Sequence, residues 1–148
     1  FIVVINCVAA HSHKFYPKGH PGYFSRLHVV QNLMAVTAAC LLVRKSIFVQ
    51  VGGLNEKELT VAFNDVDFCL KVHQAGYRNL WTPFAELYHH ESISRGREDN
   101  PEKIARFKKE VDYMYSSWQV NTMHDPYYNP NLTLEREDFS ISMFSRCV

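Results

Sequence analysis

The sequence predicts one α/β domain, built from short buried strands and two longer helices. Two observations carry this. A chain of 148 residues that is 47% hydrophobic and 21% charged matches one ordinary globular domain. Its apolar residues also follow two different periods, short β-branched runs and longer faces repeating every three to four positions. Sixteen Lys and Arg stand against fifteen Asp and Glu, a net charge of +1. That balance lacks the basic excess of a nucleic-acid binder.

The elements follow in order. Phe1–Val8 is an apolar run with no basic segment before it, so it does not read as a signal peptide. It is also shorter than the roughly 20 apolar residues that span a bilayer. A buried strand whose neighbour lies upstream is expected, which makes the chain part of a longer protein. His11–Gly22 is a loop broken by Pro17, Gly19, Pro21 and Gly22. Ala35–Val43 is expected to be a second buried strand. Ser46 is placed as the cap of a short helix ending at Gly52-Gly53. Asn64–Gly76 is the clearest helix: Asn64 or Asp65 caps it, Asp65 and Asp67 sit in its first turn, and Val66, Cys69, Leu70 and His73 line one face. Tyr77–Thr82 and Ala85–His90 are strand candidates on either side of Pro83. Asn100 caps another helix with Pro101 at its first position. Ile104, Phe107, Val111, Met114, Tyr115 and Trp118 make its apolar face. Residues 1–120 are read as the main unit, and 121–148, rich in Pro, Asn and Tyr, as an extension wrapping its surface.

Cys7, Cys40, Cys69 and Cys147 form no C-x-x-C pair and stand in apolar contexts. They read as buried reduced thiols, as in a cytoplasmic protein. His11, His13, His20 and His28 match no Cys/His zinc spacing, so a histidine-rich metallohydrolase is a minor reading. Asn131-Leu-Thr133 is a glycosylation sequon by pattern alone.

Three features could carry chemistry. Asp65-Val-Asp67 has the spacing of a carboxylate pair for a divalent cation, yet it opens a helix, and on spacing alone capping and dipole compensation are the better explanation. His89-His90 ends a strand candidate, so alternation aims only one ring inward. Arg95, in a Ser- and Gly-containing loop, suits an anion.

Several segments in order resemble one family: Ala35–Arg44, Val51–Glu56, Phe63–Lys71, Gly76–Arg78, Pro83–Gly96 and Asp125–Asn131. They resemble the C-terminal half of bacterial family 2 glycosyltransferases of the GT-A fold, above all rhamnosyltransferase-like enzymes of O-antigen and surface polysaccharide biosynthesis. The resemblance implies a mixed sheet with flanking helices, the Rossmann-like N-terminal half being absent. It implies an inverting transfer of a sugar from a nucleotide-diphospho-sugar to a saccharide or lipid-linked acceptor, with Mn²⁺ or Mg²⁺ as cofactor. Asp65 then stands where the family has its catalytic base, with Asn64 replacing the usual acidic neighbour. His89, 24 residues later, stands for the metal ligand, and Arg95 for a diphosphate-binding residue. Gly52, Gly53 and Glu56 resemble the acceptor-side loop. Asp67 is a further acceptor-side candidate, and Trp81 offers a flat face for a sugar ring.

The D-x-D carboxylates of the nucleotide half find no counterpart, so the isolated chain is expected to be inactive. The alternative function is a non-catalytic saccharide-binding or scaffolding module. Other expectations are no nucleic-acid partner, a cytoplasmic location at or near the inner membrane face, peripheral membrane association, and self-association through an exposed sheet edge.

Overall fold

The computed structural model describes residues 2–3, 8–13, 16–88, 100–120 and 123–143. The first pair of strands, β1 (Ile2–Val3) and β2 (Ala10–His11), is antiparallel, with Ile2 opposite His11 and Val3 opposite Ala10. After a 3₁₀ segment, Tyr23–His28, come β3 (Gln31–Leu33), a 3₁₀ turn at Ala38–Cys40 and the short helix α1 (Lys45–Gln50). Helix α2 (Asn64–Gln74), strand β4 (Asn79–Trp81) and helix α3 (Pro101–Trp118) complete the order. β3 and β4 pair antiparallel, Asn32 opposite Leu80. Among the described residues the strands thus form two separate antiparallel pairs, where a single mixed sheet was expected. The small α/β character holds.

The expected strand Ala35–Val43 is displaced. The strand lies just before it, at Gln31–Leu33, and Met34, Ala35 and Val36 follow as buried core residues. Beyond Val36 the amides turn to side chains: Ala38 N donates to Asp65 at 3.1 Å and Ala39 N to Thr37 Oγ1 at 3.3 Å. Those bonds close a 3₁₀ turn and leave Leu42 98% exposed. Cys40 is exposed as well, against the expectation of burial, whereas Cys69 is fully buried. Cys7 and Cys147 lie outside the described residues.

Both shorter helices end as glycine dictates. Gly53 N bonds Phe48 O at 2.9 Å and Gly52 N bonds Val49 O at 3.1 Å, with φ of 65° and 80°. The end of α2 repeats this with Tyr77 N on Val72 O and Gly76 N on His73 O. Each is the Schellman arrangement that a left-handed residue permits. Their starts differ from expectation. Arg44, not Ser46, precedes α1, and Phe63 precedes α2 in the left-handed region (φ 60°), without a side-chain cap. Asn64 and Asp65 lie inside the first turn.

α2 is buried on most of its circumference, with Val66, Phe68, Cys69, Leu70 and Val72 in the core. Each such side chain contributes about 1.5–3 kcal/mol. Asn79, buried in β4, donates to Met34 O and Cys69 O, both at 2.9 Å, and ties β4 to α2. α3 starts as expected, Asn100 Oδ1 accepting from Lys103 N at 2.8 Å. Its expected face packs inward over its second half, with Met114 buried and Val111, Tyr115 and Trp118 against the core, whereas Ile104 and Phe107 are exposed and Glu110 is buried beside them. Residues 85–88 form no strand and are exposed, and His89 and His90 lie outside the described residues.

A second apolar cluster joins Ala10 to Tyr128, Leu132 and Phe139 of the irregular tail. No described helix is long and apolar enough to cross a membrane.

Candidate functional site

The candidate site is centred on the first turn of α2. Its approach is unusual. Leu59 is fully buried, residues 60–62 are irregular, and Phe63 takes a left-handed conformation that costs a non-glycine residue about 1–2 kcal/mol. Three contacts from α3 and α2 hold it there. Glu110, 1% exposed, accepts from Thr60 Oγ1 at 3.1 Å and from Val61 N at 2.8 Å through Oε1, and from Ala62 N at 3.2 Å through Oε2. The Phe63 ring meets Phe107 with centroids 5.5 Å apart. Phe63 O accepts the first helical bond, from Asp67 N at 2.8 Å.

This fixes where Asp65 points. The residue is half-buried. Its Oδ2 accepts from Ala38 N at 3.1 Å and its Oδ1 from Val66 N at 2.9 Å. An ionised carboxylate has about four acceptor positions, of which Ala38 N and Val66 N take two among the described residues. A carboxylate so placed can take a proton from a hydroxyl group brought against it.

Asp67, two residues on, is differently placed. It is 1% exposed; Trp118 Nε1 donates to its Oδ1 at 2.8 Å, and Lys71 Nζ pairs with Oδ2 at 2.6 Å. Its carboxylate therefore joins α2 to α3. Lys71 Nζ also donates to Gly53 O at 3.5 Å. The Gly52-Gly53 turn is thereby brought to α2, and a Cβ at Gly53 would stand 2.9 Å from the Phe48 ring. Glu56 is exposed beyond that turn, next to Asn55, whose side chain accepts from the amides of Lys57 and Glu58. Trp81 is half-buried in β4 opposite Gln31 and packs against the core. His89 and Arg95 lie outside the described residues.

In the loop before β3 and at Asp125 the titratable groups are tied to neighbouring polar groups. His13 Nδ1 meets Ser12 Oγ at 3.0 Å and Nε2 accepts from Tyr23 N at 3.2 Å. Burial first, then the surrounding positive charges including Arg26, push its ring down to about 4. Arg26 donates to Gln31 Oε1 at 2.6 Å and to Tyr127 O at 3.4 Å, and burial lowers its pKa. Burial raises the Asp125 carboxyl, opposed by the amide of Tyr127 and by Arg26. Burial likewise pushes the Cys69 thiol up to about 11, so it stays a protonated core group. No group of three or more His, Cys, Asp or Glu suited to a metal occurs among the described residues.

Glu110 was not singled out from the sequence. The signal was available: it lies at i+3 from Phe107 and i−4 from Met114, on the face that α3 buries.

No family model and no solved structure matches the chain. Curated proteins do. The chain is 59% identical over 147 residues, 99% of its length, to an uncharacterized protein, y4gI, of Sinorhizobium fredii. It is 34% identical over 120 residues, 78% of its length, to the O-antigen biosynthesis protein RfbC of Myxococcus xanthus. The chain is a partial homologue of glycosyltransferase-like proteins. A third similarity, 34% over 86 residues and 56% of the chain, is to an N-acetylglucosaminyl-diphospho-decaprenol L-rhamnosyltransferase of Mycobacterium tuberculosis. The matched stretches make up 16%, 9% and 28% of these relatives, so the chain spans less than a third of any of the three.

Proposed function

We propose that the chain supplies the catalytic-base part of an inverting glycosyltransferase with a GT-A fold. The donor is a nucleotide-diphospho-sugar and the acceptor a glycan, free or lipid-linked. The observation that carries this reading is the 34% identity to RfbC over 78% of the chain. The name of the mycobacterial relative makes an L-rhamnosyl donor and a lipid-diphosphate acceptor the first pair to try.

In this reading Asp65 takes the proton of the acceptor hydroxyl as that oxygen attacks the anomeric carbon from the side opposite the leaving diphosphate. A single displacement of that kind inverts the anomeric configuration. The bond from Ala38 N restrains the carboxylate, so little reorganisation is needed when the acceptor arrives. Gly52, Gly53 and Glu56 border the acceptor, and Trp81 offers it a ring face. Arg95 is proposed to bind the diphosphate and His89 a divalent cation. Such an ion, when bound, stabilises negative charge on phosphate oxygens.

The test is a transfer assay on the full protein that carries this sequence, with a panel of nucleotide-diphospho-sugars including an L-rhamnosyl donor. The acceptor is a lipid-diphosphate-linked N-acetylglucosamine, and the product anomer is read by NMR. Transfer with inversion supports the proposal. Donor bound without any transfer favours a non-catalytic saccharide-binding module, and neither binding nor transfer contradicts both.

A further inference from the structure

One buried carboxylate with a full set of donors stands beside the candidate site rather than in it. Glu110 stands in the middle of α3, buried, and takes three hydrogen bonds from the four-residue approach to α2. Two of them come from consecutive backbone amides, Val61 and Ala62, each to a different oxygen. Bonds from N–H groups to an ionised carboxylate are about twice as strong as neutral ones. They also dictate direction, because both amides must point at one carboxylate. That requirement turns the chain sharply, and the left-handed Phe63 is the residue where it turns. Two residues later stands Asp65.

Three further features say that this grip serves position. Arg106, one turn earlier on α3, sets a positive charge 3.8 Å from Glu110 Oε2. Phe107 holds the Phe63 ring. Trp118, two turns beyond Glu110, holds Asp67 on the far side of Asp65. The residues on both sides of Asp65 are therefore fastened to the same helix, while among the described residues the Asp65 carboxylate accepts from Ala38 N and Val66 N and not from α3. A fully apolar α3 face would pack α2 equally well but would leave the amides of residues 61 and 62 without this partner.

We propose that Glu110 is a positioning residue for the transfer reaction: through the backbone of residues 60–63 it sets the direction of the Asp65 carboxylate. This rests on the reading of Asp65 as the base. A misplacement of about 1 Å can cost on the order of 10²-fold in rate, so a lost bond at Glu110 is read in kcat.

The experiment compares Glu110→Gln, Asp65→Asn and the double variant in the full protein, measuring kcat and donor KM well below the melting temperature. Glu110→Gln should lower kcat at least about tenfold at nearly unchanged donor KM. In the Asp65→Asn background it should cause no further loss, because a residue acting through Asp65 has nothing left to act on. A structural contribution elsewhere would lower turnover equally in both backgrounds and would overturn the proposal. Wild-type turnover in Glu110→Gln beside an inactive Asp65→Asn overturns the positioning role alone. Full turnover in Asp65→Asn overturns the base reading and the positioning role together. Should Glu110→Gln fail to fold, Thr60→Val removes a single bond to Oε1. It should lower kcat by about two- to threefold, on the same argument from placement. Hydrogen exchange supplies a readout apart from activity. The Val61 and Ala62 amides should be protected in the wild-type protein, and rapid exchange there would contradict the grip itself.

Discussion

Two regions of the molecule are held by opposite means. The α2–α3 region is joined by carboxylates, each given a defined set of donors: Glu110 receives the approach to α2, and Asp67 receives Trp118 and Lys71. The loop of residues 8–31 and the tail of residues 123–143 are joined mainly by rings. Phe139 stacks on Tyr23 with centroids 5.0 Å apart and planes within 10°, meets His13 at 5.0 Å and Tyr128 at 5.6 Å, and carries the Arg26 guanidinium over its face at 5.7 Å. Hydrogen bonds to charged groups fix direction, whereas ring contacts fix proximity and tolerate several angles. The candidate base stands in the region that fixes direction. Variants and pH separate the two regimes.

The largest effect is expected at Asp67. Asp67→Ala leaves Lys71 and the Trp118 indole without their buried partner, and breaking a buried pair in this way costs about 3–5 kcal/mol. Denaturant unfolding followed by Trp fluorescence measures it. A loss below about 1 kcal/mol would show that the carboxylate junction is not what joins the two helices. Phe139→Ala should cost about 3 kcal/mol, but with a different distribution. Hydrogen exchange should rise across residues 123–143 and the loop near His13, and stay low in α2 and α3. A uniform rise would merge the two regions into one cooperative unit. Asn100→Ala removes the cap of α3 and should cost about 1 kcal/mol.

The pH response belongs to the ring-built region. His13 is held near 4 in the fold, below its usual 6.5. A depressed imidazole means that the unfolded chain binds more protons between those values. Its contribution to stability is therefore fully present above about pH 6.5 and is lost as pH falls toward 4. NMR titration of the His13 ring checks this, and titration near 6.5 would place the ring in water.

The same contrast explains what could be read from the sequence. Helices α2 and α3 were legible because their apolar residues recur every three or four positions and because Asn100-Pro101 and Gly76 mark their ends. The Gly52-Gly53 stop was legible for the same reason. The start of α2 was not, because Phe63 is no capping residue: its conformation is imposed by Glu110, 47 positions away in sequence. The apolar run Ala35–Val43 looked like a strand, but the side chains of Thr37 and Asp65 claim its amides. Ring contacts between loop and tail follow no period, so their partners could not be paired from sequence. At the candidate site the pattern places Asp65 and Asp67 in the first turn of α2 and Gly52-Gly53 at the end of α1, as found, whereas the bridge from Asp67 to Trp118 joins residues 51 positions apart and follows no period.

The central claim is that Asp65, alone of the two carboxylates in this turn, is free to do chemistry. The most direct measurement is kcat of Asp65→Asn in the full protein, taken with donor affinity and melting temperature. Turnover should fall at least about 100-fold, the low end for loss of a general base, with affinity and melting temperature nearly unchanged. A variant that keeps more than half of wild-type turnover would contradict the account.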